Sequence, residues 1–110
     1  MSIHKTLSSG GWQELTLPEQ LANIGSEVER AIQWSKRGDM ERKEKAVERA
    51  LELIDLTIGD NRWNDRLKEV CRIREILCDT FNGDNTYNTS FEFLQNYFLY
   101  FGILARKNRY

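Results

Sequence analysis

Glu52 and Asp55, in the run Glu52-Leu53-Ile54-Asp55, stand three residues apart in a stretch whose apolar residues recur at helical steps. Both carboxylates therefore leave one face of a helix. Oxygen ligands on a rigid helix suit a hard divalent cation such as Mg²⁺, and Glu27, on an earlier amphipathic stretch, could add a third. A second pair is missing, because Glu27 and Glu29 are two apart and point to different faces. Glu27, Glu52 and Asp55 are thus an incomplete metal set; no metal site is assigned to them, and a solvated carboxylate pair explains the same residues. Other routes to catalysis are thinner. The one histidine, His4, lies in a stretch without helical period. Cys71 and Cys78 sit seven apart on one expected helix, about 10 Å along its axis. That is too far for a disulfide with each other, and a single His gives them no zinc partners. They read as small apolar residues of the interior. No catalytic residue and no cofactor is assigned.

Cationic groups offer a different chemistry. Arg66, Arg72 and Arg74 share one expected helix, and Arg106, Lys107 and Arg109 cluster before Tyr110. With the last turn of a fourth helix beside the third, they would form one phosphate- or nucleic-acid-binding patch with an aromatic ring available to stack. Against this, cations at a helix C-terminus favour its dipole, and Glu69, Glu75 and Asp79 can neutralise the third helix. The formal net charge of -1 is also not that of a chain built to coat nucleic acid. A polar line of Asn23, Glu27 and Arg30 flanks the core stripe of the first helix, and Asp55 flanks that of the second. Glu27 or Asp55 can pair with Arg74, either fixing helix register or lining a polar pocket. Residues 82–88 concentrate hydrogen-bonding groups in one loop. Asn and Gly there are ordinary turn chemistry, and the glycine and glutamate of a calcium loop are missing at the matching positions.

The elements that must hold these residues are helical. Hydrophobic residues at 40% and charged residues at 30% describe a globular chain, and one proline leaves no room for a linker tract. Residues 1–15 lack a helical period and read as an extended N-terminal arm, with Trp12 and Leu15 as anchors; residues 16–110 read as one domain. Thr16 and Glu19 have capping-box spacing with Pro18 in the first turn, and Leu17, Leu21, Ile24, Val28 and Ile32 form the first stripe. Gly38 ends that helix as a left-handed cap, and Asp39 caps the second. The Arg37-Gly38-Asp39 triplet is explained by those two roles. Val47, Ala50, Leu51, Ile54 and Ile58 form the second stripe, closed by Gly59. Asp60 or Asn61 opens a third helix carrying Trp63, Leu67, Val70, Ile73, Leu77 and Phe81, which Asn82-Gly83 stops. Thr89 and Glu92 repeat the capping-box spacing before a fourth helix from about Ser90 to Lys107. Short connections make neighbours antiparallel, so the expected fold is all-α, an up-down-up-down four-helix bundle.

The fourth helix differs in kind. Phe91, Phe93, Leu94, Tyr97, Phe98, Tyr100, Phe101, Leu104 and Ala105 spread over about half its circumference, more than one bundle face needs. Phe93, Tyr97 and Tyr100 form a second flank of aromatics of the sort enriched in interface cores. Either the arm or a second subunit must cover them, and a partner is the favoured reading.

Three resemblances bear on function. Glu52-Leu53-Ile54-Asp55 is similar to the second half of the acidic motif of all-α NTP pyrophosphohydrolases of the MazG type, which implies Mg²⁺-assisted hydrolysis; the first half is absent. The size and helix count resemble the HEPN class of small four-helix domains. That class carries an Arg and a following His on its last helix, where this chain has Arg106-Lys107-Asn108-Arg109 and no His. The stretches Glu14-Leu15-Thr16-Leu17-Pro18-Glu19-Gln20-Leu21-Ala22-Asn23-Ile24-Gly25-Ser26-Glu27 and Leu51-Glu52-Leu53-Ile54-Asp55-Leu56-Thr57, with the Ala105-Arg106-Lys107-Asn108 ending, resemble a family of small, uncharacterised prokaryotic all-helical proteins. This implies a microbial origin and a helical fold and carries no residue roles.

The sequence therefore favours an interaction module over an enzyme: a helical bundle that forms a homo-oligomer through Phe93, Tyr97 and Tyr100, open to a protein partner or to nucleic acid. The alternative is the metal-dependent nucleotide hydrolase. No run reaches the roughly 18 apolar residues of a membrane span and no signal-peptide core opens the chain, so no membrane association and a cytoplasmic location are expected.

Overall fold

The amphipathic stripes become four α-helices in a computed structural model that describes residues 11–107. They are α1 (Leu17–Lys36), α2 (Met40–Ile58), α3 (Leu67–Asn82) and α4 (Phe91–Lys107), and no strand occurs among the described residues. Residues 1–10 and 108–110, which include His4 and Arg109, lie outside the description.

Local chemistry sets most of the boundaries. Thr16 accepts the Glu19 N–H at 3.3 Å while the Glu19 carboxylate accepts the Thr16 N–H at 2.9 Å, a complete capping box. Gly38 turns the chain at φ +76, a left-handed conformation that costs glycine nothing, and the Asp39 carboxylate accepts the Arg42 N–H at 3.1 Å to start α2. The guanidinium groups of Arg37 and Arg42 lie 5.3 and 4.7 Å from the Trp34 ring, which ties the two sides of this turn together.

Four expectations need correction. The region before Thr16 is not extended throughout, because Gly11–Glu14 wind into a 3-10 turn that buries Trp12 completely. The third helix does not begin at Asn61. Asp60 instead caps a 3-10 turn, Asn61–Arg66, kinked at Trp63, and regular α-helix starts at Leu67. The cap of α4 is Ser90, whose hydroxyl accepts the Phe93 N–H at 3.1 Å; the Thr89 N–H is engaged instead by the Asn85 side chain at 3.0 Å. Cys71 and Cys78 are free and only half buried, not interior.

The core is built around α1, which packs extensively on α2 and on α4, while α3 packs on α2. Leu21, Ile24, Val28 and Ile32 of α1 meet Leu53 and Ile54 of α2, Ile73 and Leu77 of α3, and Leu94, Phe98 and Phe101 of α4 in one buried cluster. Glycine permits the α1–α4 approach: a Cβ at Gly25 would come within 2.5 Å of the Phe98 Cβ. The backbones of α3 and α4, by contrast, hardly approach each other. Their link is made by side chains: Phe81 stacks on Phe91 at 5.7 Å, and the Tyr97 hydroxyl donates to Glu69 at 3.2 Å. Lys43 of α2, nearly buried, donates to the Phe81 carbonyl at 3.2 Å and so satisfies one of the open carbonyls at the end of α3.

Gly25→Ala tests the α1–α4 approach. At an open helical site this change stabilises by roughly 1 kcal/mol. Here the added methyl meets a Cβ that cannot swing away, so urea unfolding is expected to show a net loss of about 1–3 kcal/mol.

Candidate interface on the fourth helix

Each side chain of α4 takes its role from its position around the helix. Leu94, Phe98 and Phe101 point into the core and are buried. Tyr97 sits at the edge of that face, its ring edge-on to Phe98 and Phe101 at 5.1 and 5.2 Å. Burial, reinforced by the neighbouring Glu69 charge, pushes its phenol above the ordinary range, so Tyr97 stays a neutral hydrogen-bond donor. It is an internal residue more than a contact surface. Phe93 and Tyr100, its expected companions, are different: 50% and 58% exposed. Leu99 at 55% and Ile103 at 47% join them.

Leu99 and Ile103 are the residues that the aromatic pattern did not single out. At 100° per residue they lie on the side of α4 opposite the core-facing residues, four apart and hence adjacent on the surface. The signal was available as aliphatic residues outside the core arc. Four large apolar side chains, each about half exposed on a single helix, make an apolar surface that α1, α2 and α3 leave uncovered.

Beside this surface runs a cleft of about 740 Å³, where α3 and α4 stand apart. Tyr97, Tyr100, Phe101 and Leu104 form one wall; Trp63, Arg66 and Glu69 form the other, with Leu17 and Pro18 closing one end. Its two arginines are paired within the protein. Arg66 donates to Glu69 at 2.7 and 2.9 Å, and Arg62, which lies over the Trp63 ring at 4.5 Å, donates to Asp60 at 2.6 Å and to the Leu15 carbonyl at 2.8 Å.

The cationic candidates are dispersed. Arg66 faces the cleft, Arg74 reaches across to Asp55 of α2 at 2.8 Å, and Arg72 is exposed. Arg106 borders a hollow formed with Leu15, Glu19 and Asn23 of the α1 side, and Lys107 is exposed in the final turn. Arg109 lies outside the described residues. The carboxylate candidates are also separated by their partners. Glu27, nearly buried, accepts from Arg49 of α2 at 2.8 Å and from Arg30 of its own helix, whereas Asp55 faces α3. Glu52 is exposed, and among the described residues no group of three or more His, Cys, Asp or Glu side chains is placed to hold a metal ion. Asn23 donates to the Glu19 carbonyl within its own helix at 2.8 Å.

The loop over residues 82–88 is held by its own polar groups. The Asp79 carboxylate accepts the Thr86 and Tyr87 N–H groups at 2.7 and 3.0 Å, and Asn85 and Asn88 take left-handed conformations at φ 51 and 54. Asparagine tolerates that region better than most residues.

The best-organised polar cluster lies where the entry turn, α1 and the α2–α3 connection meet. The Gln20 amide, fully buried, donates to the Trp12 carbonyl at 2.9 Å and to Asp60 at 3.2 Å, and it accepts from the Trp63 indole at 3.0 Å. The Trp12 indole donates to Thr57 at 3.1 Å. Every member is held by a neighbour in the protein, which marks a structural joint. Among the described residues no helix is long and apolar enough to cross a membrane. No protein-family model, curated protein or solved structure matches the chain.

Asp60 makes the joint sensitive to acid. The hydrogen-bonded Arg62 guanidinium outweighs the effect of burial and, with the Gln20 amide, holds the Asp60 carboxyl at about 2. A carboxylate whose folded pKa is lowered stabilises the fold above its unfolded value, and that contribution disappears as pH falls through the folded one. The Asp60 contribution, up to about 2 kcal/mol, is therefore complete above about pH 4 and lost toward pH 2. Urea titrations are expected to show Asp60→Asn less stable than wild type at pH 7, with the two converging near pH 2.

Proposed function

We propose that this chain is a helical interaction module that associates with itself through the outer face of α4, carried on an up-down-up-down bundle. The single observation behind the association is that Phe93, Leu99, Tyr100 and Ile103 are each about half exposed on one helix whose opposite face is fully used in the core. Burying the exposed half of such a side chain is worth roughly 1 kcal/mol, and a second subunit is the simplest means of doing so. The alternation of helix direction is supported by pairs of distant residues. Glu29 of α1 meets Gln95 near the start of α4 at 3.1 Å, and Lys43 near the start of α2 meets Phe81 near the end of α3. The aromatic cleft next to the proposed interface gives an assembled form room for a further protein segment.

Light scattering at about 50 μM, a range suited to a modest interface, is expected to give twice the chain mass of 13.0 kDa. Leu99→Glu and Ile103→Glu, both exposed in the single chain, are each expected to shift the mass to that of a monomer while leaving the thermal midpoint of the fold almost unchanged. A wild-type monomer at that concentration would defeat the proposal.

A further inference from the structure

The exposed positions of α4 read the same in both directions: 92 and 93, then 96, then 99 and 100, then 103, then 106 and 107. Reversing the helix about the midpoint between Leu99 and Tyr100 carries this set onto itself. Such a surface can lie against its own copy about a two-fold axis with every exposed position matched, as an isologous contact requires. We infer that the occupant of the α4 face is a second copy whose α4 runs antiparallel to the first, about an axis passing between Leu99 and Tyr100. The inference rests on the self-association proposed above and adds its geometry.

Charge selects the antiparallel sense. Glu92 lies in the first turn of α4, and Arg106 and Lys107 lie in the last, about 21 Å away along the axis. Antiparallel pairing sets each Glu92 beside the partner's Arg106, so both ends of the contact join opposite charges. Parallel pairing would stack Glu92 on the partner's Glu92 and bring four cations together at the other end. Between the charged ends, the two-fold places Leu99 against the partner's Leu99 and Tyr100 against the partner's Tyr100. Leu99 also borders a hollow of about 400 Å³ lined by Ala22, Gly25 and Gly102. The small residues there leave room for the incoming leucine.

The charged ends also fix the register, against the pull of Asn96 toward its own copy. In the full pairing Asn96 meets the partner's Ile103. Sliding one helix by seven residues to match Asn96 with the partner's Asn96 would carry Arg106 and Lys107 beyond the end of the partner's α4 and forfeit both charged contacts. The helix pair is small compared with a standard interface of roughly 800 Å² per partner, so the dimer is expected to be concentration-dependent.

The test combines cross-linking with charge reversal in the full chain. With Cys71 and Cys78 replaced by alanine, Glu92→Cys mixed with Arg106→Cys should be joined by a short bismaleimide, and Glu92→Cys alone should not. In sedimentation equilibrium, Glu92→Lys is expected to raise the dimer dissociation constant about tenfold, and Glu92→Lys with Arg106→Glu should recover most of that loss. Circular dichroism matching wild type shows that each variant is folded. Cross-linking of Glu92→Cys to itself, or a double reversal no tighter than the single one, overturns the antiparallel pairing while self-association stands. Sedimentation of the wild type as a monomer overturns both.

Discussion

A buried amide must be satisfied on both its oxygen and its nitrogen, and Gln20 meets that requirement using chain segments far apart in sequence. Its nitrogen binds Trp12 before α1 and Asp60 after α2, and its oxygen takes the indole proton of Trp63. Leaving either side unpaired would cost about 1–3 kcal/mol. The entry turn and the α2–α3 connection therefore cannot shift independently of α1. This joint fixes where the 3-10 turn ends and where α3 begins. The position of α3 in turn leaves the seam with α4 open, and the cleft and the exposed aromatic edge both follow from that opening.

The consequence for α4 is an unequal division of its surface. One side is seated on α1 through the Gly25–Phe98 approach, with Leu94 and Phe101 completing the burial. The flank toward α3 is held by Tyr97 and Glu69 and otherwise borders the cleft. The remaining arc has no neighbour within the described chain and keeps its apolar residues. Polar clusters are thus spent on internal joints while these apolar residues remain outside, and the proposed association rests on that contrast.

Much of the helical layout was legible because it rests on local rules. The Thr16 capping box, the Gly38 turn, the Asp39 cap and the core stripe of α1 need only near neighbours along the chain. Errors arose where a distant partner decided the outcome. Asp60 could not be recognised as the cap of a 3-10 turn without knowing that Gln20 holds its carboxylate, and Thr89 lost its capping role because Asn85 engages its backbone. Tyr97 was grouped with Phe93 and Tyr100 on aromatic character, yet Glu69 and the rings of Phe98 and Phe101 draw it inward. Pairing of Asp55 with Arg74 was one of two options in the sequence; the structure takes it and gives Glu27 to Arg49 and Arg30 instead. Leu99 and Ile103 were overlooked because aliphatic residues in an apolar helix are assumed to face inward.

The approach of α4 to α1 also imposes an order on assembly. The α1–α2 hairpin closes between residues such as Glu27 and Arg49, 22 positions apart, whereas Glu29 and Gln95 are separated by 66. Closing the longer loop carries the greater entropic cost, and contacts made over long separations form late. The groove over Gly25 is thus expected to be filled by α4 after the α1–α2 contacts have formed. During synthesis the apolar floor of that groove meets water until α4 has emerged, so this is the stage at which the chain exposes core surface.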